Sequence, residues 1–239
     1  MNIESALLNV ALFWIITTPH EFAHAWAATR LGDNTPVREG RLTLNPLAHV
    51  DWLGTVLLPA ITSLFGAGFL GWGKPVGTDV SRLKGGWNGL AIVALAGPAS
   101  NIVLAMIFGL SASALAVSFP SAAQAAAHAT LLSIYLALFN LIPVPPLDGS
   151  KLLLAARVPP FIYEELARFG FILLVVAFGA SGLGRWLAEL SWIGTRAILP
   201  NPASLLCAHV QPRPPARRRR DRPVGARRGC PPRLRGRAG

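Results

Sequence analysis

The chain has 239 residues, of which 52% are hydrophobic and only 14% charged, against about 25% charged in an ordinary soluble domain. A mean hydropathy of +0.47, carried by long apolar stretches, excludes an ordinary soluble enzyme and points to an integral membrane protein. The net charge of +11 is no nucleic-acid signature: residues 211–239 hold eleven Arg and one Asp, and the body before them is nearly neutral.

A helix needs about 20 predominantly apolar residues to cross the hydrocarbon core. Residues 6–31 form the first such stretch, with Pro19, His20, Glu21 and His24 in its second half. Glu4 stands where a signal peptide needs positive charge, and no small-residue cleavage site precedes His20, so this segment is expected to remain as a span. Within it, residues 20–24 read His-Glu-Phe-Ala-His. On a helix, i and i+4 face the same way, so His20 and His24 can present two imidazoles to one metal with Glu21 beside them as a base. On an exposed soluble helix the same pattern would be three solvated side chains. Inside a membrane span, ionisable groups are costly and demand a partner, and a metal supplies one.

Residues 53–70 are apolar but carry Pro59, Gly54, Gly66 and Gly68, and are a doubtful span. Residues 90–119 and 129–147 are further spans, joined by the short stretch 120–127. The second of them ends in Asn140-Leu-Ile-Pro-Val-Pro-Pro-Leu-Asp-Gly149, where Pro143, Pro145 and Pro146 prevent a regular helix. Irregular backbone at membrane depth is tolerated where it lines protein or a hydrated cavity. Asp148 in this stretch is the acidic residue best placed to be a third ligand, although the same residues also read as a plain turn. A last candidate span covers residues 169–190. The expected fold is therefore an all-α polytopic bundle of about 4 to 6 spans, with residues 1–200 as its domain. Residues 201–239 form an Arg/Pro-rich tail that is expected to be disordered and to take no part in the chemistry. Both cysteines, Cys207 and Cys230, lie in or beside that tail, so a metal site in the body must use His and carboxylates.

Lys and Arg accumulate in short cytoplasmic loops. If residues 53–70 form a re-entrant or surface hairpin, then Arg30, Arg38, Arg41, Lys74, Arg82 and Lys84 all share one side with Lys151, Arg157 and Arg168. That arrangement puts the N-terminus outside and the chemistry toward the cytoplasm.

Together these motifs resemble the site-2 protease family of intramembrane zinc metalloproteases, peptidase family M50. His20-Glu21-Phe22-Ala23-His24 fits its zinc motif, and 140–149 fits its second motif, which ends Leu-Asp-Gly. Residues 41–51 (Arg-Leu-Thr-Leu-Asn-Pro-Leu-Ala-His-Val-Asp) and 97–101 (Gly-Pro-Ala-Ser-Asn) are similar to stretches of its compact members. The resemblance covers residues 6–155 and implies Zn2+ held by His20, His24 and Asp148, with Glu21 as acid/base. It implies a transmembrane protein as substrate, and the lipid bilayer as setting, with no nucleic-acid partner.

Asn140 matches a family asparagine that holds an unwound substrate backbone, and a capping or turn role fits it equally. Gly97 and Asn101 are expected to pack helices close to the site. His49 and Asp51 fit either a structural network or a role behind the ligands, and His128 is expected at a span's far end, inert. Ser150-Lys151 departs from the family's usual residues after Leu-Asp-Gly, and residues 120–127 are too few for the PDZ domain of many relatives; no CBS domain fits. Two rivals stay open: a metalloprotease whose third ligand is Glu39, Glu164, Glu165 or Glu189, and a non-catalytic scaffold or pseudoprotease. The hairpin between Leu53 and Lys84, which includes the segment 71–76 (Gly-Trp-Gly-Lys-Pro-Val), is a candidate to offer an edge strand to an extended substrate.

Overall fold

In the computed structural model, which describes residues 3–65, 71–180, 182–199 and 202–206, the chain is all helical apart from its connections. The Arg-rich tail from residue 207 onward lies outside the described residues. The first helix, α1 (Ile3–Arg30), runs through Pro19 without a break. A loop carrying the short α2 (Thr35–Arg38) leads to a 3-10 turn at Pro46–His49. There follow a wide helical turn, Trp52–Leu57, and α3 (Leu58–Phe65). Asp51 starts that turn by accepting the backbone N–H groups of Leu53 and Gly54, the ordinary work of an N-terminal cap.

The doubtful span is a hairpin. Trp72 N–H donates to the carbonyl of Gly54, Thr55 Oγ1 donates to that of Trp72, and Lys74 N–H donates to that of His49. The chain thus comes back to where it left, and the stretch begins and ends on one side of the bundle. Two further bonds tie the same end together: Lys84 N–H to the carbonyl of Leu31, and Asp79 N–H to Asp33 Oδ2. The basic residues of 30–51 and 74–84 are gathered there.

The long α4 (Trp87–Leu115) shows why this bundle suits lipid. From Ala94 onward its buried face is mostly small, with Gly97, Ala105, Gly109 and Ala112 beside Asn101, and only Leu90 and Val93 before them are large, while Ile92, Leu95, Ile102, Val103, Met106, Ile107 and Leu110 point outward. Small residues let helix backbones approach, and large apolar ones face the acyl chains. By length and apolarity α4 and α5 (Pro120–Asn140) are both long enough to cross a membrane. In α1 the polar residues of the HExxH segment dilute an otherwise apolar helix.

Two boundaries differ from the sequence expectation. Residues 120–127 are not a connecting loop but the first turns of α5: Pro120 occupies the first helical position, where its missing N–H costs nothing, and five alanines follow within the next seven residues. His128 consequently lies inside the helix rather than at its end. The last stretch is divided into α7 (Pro160–Ala180) and α8 (Leu183–Ile198), which meet at 74°. Gly182 stands at the break with φ +73°, a conformation that glycine adopts without strain. Counted as one bent span, the pair gives a third crossing candidate after α4 and α5.

Between α5 and α7 the proline-rich stretch ends in the short α6 (Gly149–Ala155). α4 packs on α1 through Ala27, Ala28, Leu90 and Val93, and α5 packs on α1 through Leu12, Phe13, Ile16, Leu132 and Leu136. Tyr135, Phe139, Leu147, Leu174 and Leu187 join α5, the proline-rich stretch, α7 and α8. Packing continues past residue 200 through α9 (Pro202–Leu206), whose Leu205 and Leu206 lie against Ala112, Ala127 and Leu199.

Candidate metal centre and its cavity

Two segments more than 120 residues apart meet beneath the hairpin. His20 and His24 stand one turn apart on the buried side of α1, 3% and 2% exposed. Asp148 reaches them from the end of the proline-rich stretch. That stretch turns sharply because Gly149 sits on the carbonyls of Leu141 and Ile142, where a Cβ would have no room. Leu147 is locked into the core just before the ligand candidate.

Asp148 Oδ2 is 3.0 Å from His20 Nε2 and 2.9 Å from His24 Nε2, and the two ring nitrogens are 3.1 Å apart. Three ligands of a tetrahedral zinc, at about 2.0–2.1 Å from the ion, lie about 3.3 Å from one another, close to the triangle observed. His24 Nδ1 donates to the carbonyl of Val93 at 2.7 Å, which fixes the ring with Nε2 toward Asp148 Oδ2 and His20 Nε2. A carbonyl bonded to the far ring nitrogen is the usual way a ligating histidine is oriented, and a divalent cation at the centre of the triangle would be met by all three atoms. Among the described residues this is the one group of His, Cys, Asp or Glu that could hold a metal.

Gly97 of α4 closes the other side. A Cβ there would fall on His24 Nε2 and lie 2.6 Å from His20 Nε2. Its absence lets the helix press against both rings, a closer involvement than helix packing. Lys151 is the residue that sequence reasoning passed over: its Nζ donates to Asp148 Oδ1 at 2.9 Å. It occupies the remaining oxygen and leaves Oδ2 for the histidines. The available signal was its i+3 position from Asp148 at a helix start.

Glu21 is buried and opens with His20, Asp148, Lys151, Gly73, Asn101 and Asn140 onto a cavity of about 30 Å³, room for one or two waters. Asn140 is half-buried on its wall, with Nδ2 donating to the carbonyl of Leu136. The alternative glutamates, Glu39, Glu164, Glu165 and Glu189, are all exposed and none joins the histidines. His49 is held within its loop by Nε2, which donates to the carbonyl of Thr43, while its Nδ1 is buried without a hydrogen-bond partner. Burial pushes its pKa down and the nearby Arg41 adds to this, outweighing the Thr43 bond. His128 faces a separate cavity with Asn9, Tyr135 and Ser191.

Residues 116–177, which include Asn140 and Asp148 but not the histidine pair, match the model of peptidase family M50. YwhC of Bacillus subtilis, named as a candidate zinc metalloprotease, is 36% identical over 173 residues, 67% of this chain and 75% of its own length. Two proteins named Rip2, also candidate zinc metalloproteases, are similar as well. That of Mycolicibacterium smegmatis is 35% identical over 72% of this chain and 66% of its own length. That of Mycobacterium tuberculosis is 32% identical over 77% of this chain and 74% of its own length. No solved structure matches the chain. The chain belongs to peptidase family M50, the site-2 protease family of membrane-embedded metalloproteases.

Proposed function

We propose that this protein is an intramembrane zinc metalloprotease that hydrolyses peptide bonds in or near transmembrane segments of other membrane proteins. The observation that carries this reading is the convergence of His20, His24 and Asp148 on one point inside a lipid-suited bundle, with the Glu21 carboxylate on a water-sized cavity beside it. His20, His24 and Asp148 would hold the ion, and Lys151 and the Val93 carbonyl would orient two of the three ligands. Zinc bound there supplies a water of pKa about 7 and polarises a carbonyl.

Glu21 takes the proton of the attacking water and delivers it to the leaving nitrogen. Its position on α1, packed against Gly73, fixes the carboxylate at the cavity wall. The substrate helix must unwind before its carbonyl can enter. The segment 71–74 supports a way to hold the unwound strand: the N–H groups of Trp72 and Lys74 are bonded to the hairpin base, while Gly71, Trp72 and Gly73 line the cavity. An extended substrate would add as a further strand along that edge. Asn140 lies within reach of such a strand as a second backbone contact. The gathering of Arg30, Arg38, Arg41, Lys74, Arg82 and Lys84 at one end of the bundle favours a multi-pass protein of the cell membrane with this site toward the cytoplasm.

Glu21→Gln decides whether the chemistry belongs to this site. In vesicles containing a model transmembrane substrate, the wild type should cut it within the span. The variant should retain its zinc and lose cleavage. Equal cutting by both would contradict the assignment of Glu21, and no cutting by a zinc-loaded wild type over a panel of substrates would favour a scaffold. Trp72→Pro, which removes one bond of the hairpin base, should lower cleavage without loss of zinc; unchanged cleavage would dismiss the edge strand.

A further inference from the structure

Buried polar side chains without partners are rare in native proteins, and inside a bilayer no bulk water is at hand to satisfy them. Among the described residues seven buried side-chain polar atoms lack a hydrogen-bond partner: His49 Nδ1, Thr78 Oγ1 and Ser133 Oγ lie elsewhere, while His20 Nδ1, Thr17 Oγ1 and both amide atoms of Asn101 belong to residues that line the one cavity that Glu21 faces. Asn101 is 1% exposed. It lies one turn beyond Gly97 on α4, and therefore on the face that presses against the two histidines. Thr17, on α1, contrasts with its neighbour Thr18, whose hydroxyl donates to the carbonyl of Trp14 as helical threonines commonly do.

We propose that Asn101 binds the carbonyl oxygen of the scissile peptide bond, donating an amide N–H to that oxygen as it becomes negatively charged. The inference rests on the protease reading and adds to it the group that meets the charge. Asn140, the asparagine singled out by its motif, is less suited: its Nδ2 already donates to Leu136 and it is only half-buried. Asn101 has both donors free and is held in place by a well-packed helix. A donor fixed in advance in a site from which bulk water is excluded needs no reorganisation when charge develops.

In the reaction the oxygen of water bonds to the carbonyl carbon and the C=O electron pair moves onto the oxygen held by Asn101. The C–N bond then breaks, with the pair leaving on nitrogen. Glu21 carries the proton from water to that nitrogen. Asn101 exchanges no proton, and the products are a carboxylic acid and an amine.

The test uses the full chain in detergent with a fluorogenic transmembrane peptide, comparing wild type, Asn101→Leu, Asn101→Ser and Glu21→Gln. Removal of one such donor lowers kcat about 10²-fold. For Asn101→Leu we expect that loss with KM within about twofold, unchanged zinc, and an equal or higher Tm, because an unpaired buried amide has been replaced by an apolar group of similar size. Asn101→Ser should recover part of kcat. A kcat for Asn101→Leu within threefold of wild type, with Glu21→Gln inactive, overturns the assignment of Asn101 alone. A fall in kcat that tracks loss of zinc or Tm makes Asn101 a packing residue and overturns it too. A wild type no faster than Glu21→Gln overturns the protease reading underneath.

Discussion

At the ligand triangle the inward-facing atoms crowd one another: two imidazole nitrogens and a carboxylate oxygen lie within 3.1 Å, and Lys151 and the carbonyl of Val93 hold their far sides. Across the cavity Thr17 and Asn101 are as deeply buried and have no partner at all. On the proposed reading, the crowded atoms suit a resident cation and the vacant ones suit a visitor that brings its own polar groups and leaves again. The proposed site would then combine a permanent half and a transient half, with Glu21 between them.

Substitutions can separate the halves. Gly97→Val should have the largest effect, because the new side chain falls on His24 Nε2; zinc affinity should drop about 10²-fold or more, read by competition with a chelator. Normal zinc in this variant would mean that the rings are not pressed against α4. Lys151→Met should weaken zinc about tenfold by freeing the carboxylate to turn, and Lys151→Arg should recover most of that. Tighter binding in the Met variant would mean that Lys151 acts only as a repelling charge.

Gly73→Ala belongs to the transient half. Its Cβ would lie 2.7 Å from Thr17 Cγ2 and 2.8 Å from Glu21 Oε1, so cleavage should fall about tenfold through displacement of the base, with zinc unchanged. Zinc lost together with activity would place Gly73 in the permanent half.

The smallest effect lies outside both. Asp33 is fully buried; burial pushes its carboxyl up, but hydrogen bonds from the Thr35 side chain and from the N–H groups of Asp79 and Thr35 outweigh that and hold it below the usual range. A depressed pKa contributes stability that is present above the unfolded value of about 3.9 and is lost as pH falls through the folded value. Asp33→Asn should therefore cost about 2 kcal/mol at pH 7 and progressively less below pH 4, measured as Tm in detergent. A pH-independent difference would mean that shape, and not charge, joins the loops.

How much of this was legible in the sequence depends on how local the cause is. The i, i+4 spacing of His20 and His24 is a property of one helix turn and could be read directly. The three prolines before Asp148 announced broken backbone, but its direction toward α1 depends on Gly149 lying against the carbonyls of 141–142, a tertiary contact. Gly97 was read as a packing residue close to the site but not as the contact of both rings, and Lys151 was not read as the partner of Asp148, since each acts through a side chain on another element or at a newly made helix start. The helix over 120–127 was missed because short polar-flanked alanine runs resemble connections when only hydropathy is weighed. The break near Gly182 was missed because an apolar run hides a single left-handed glycine.

The central claim is that α1 and the proline-rich stretch build one metal site. The most direct test is the zinc content of purified full-length protein, wild type against Asp148→Ala. The account predicts one zinc per chain in the wild type and a loss of most of it in the variant while the helical content is unchanged; full zinc in Asp148→Ala, or none in a folded wild type, would contradict it.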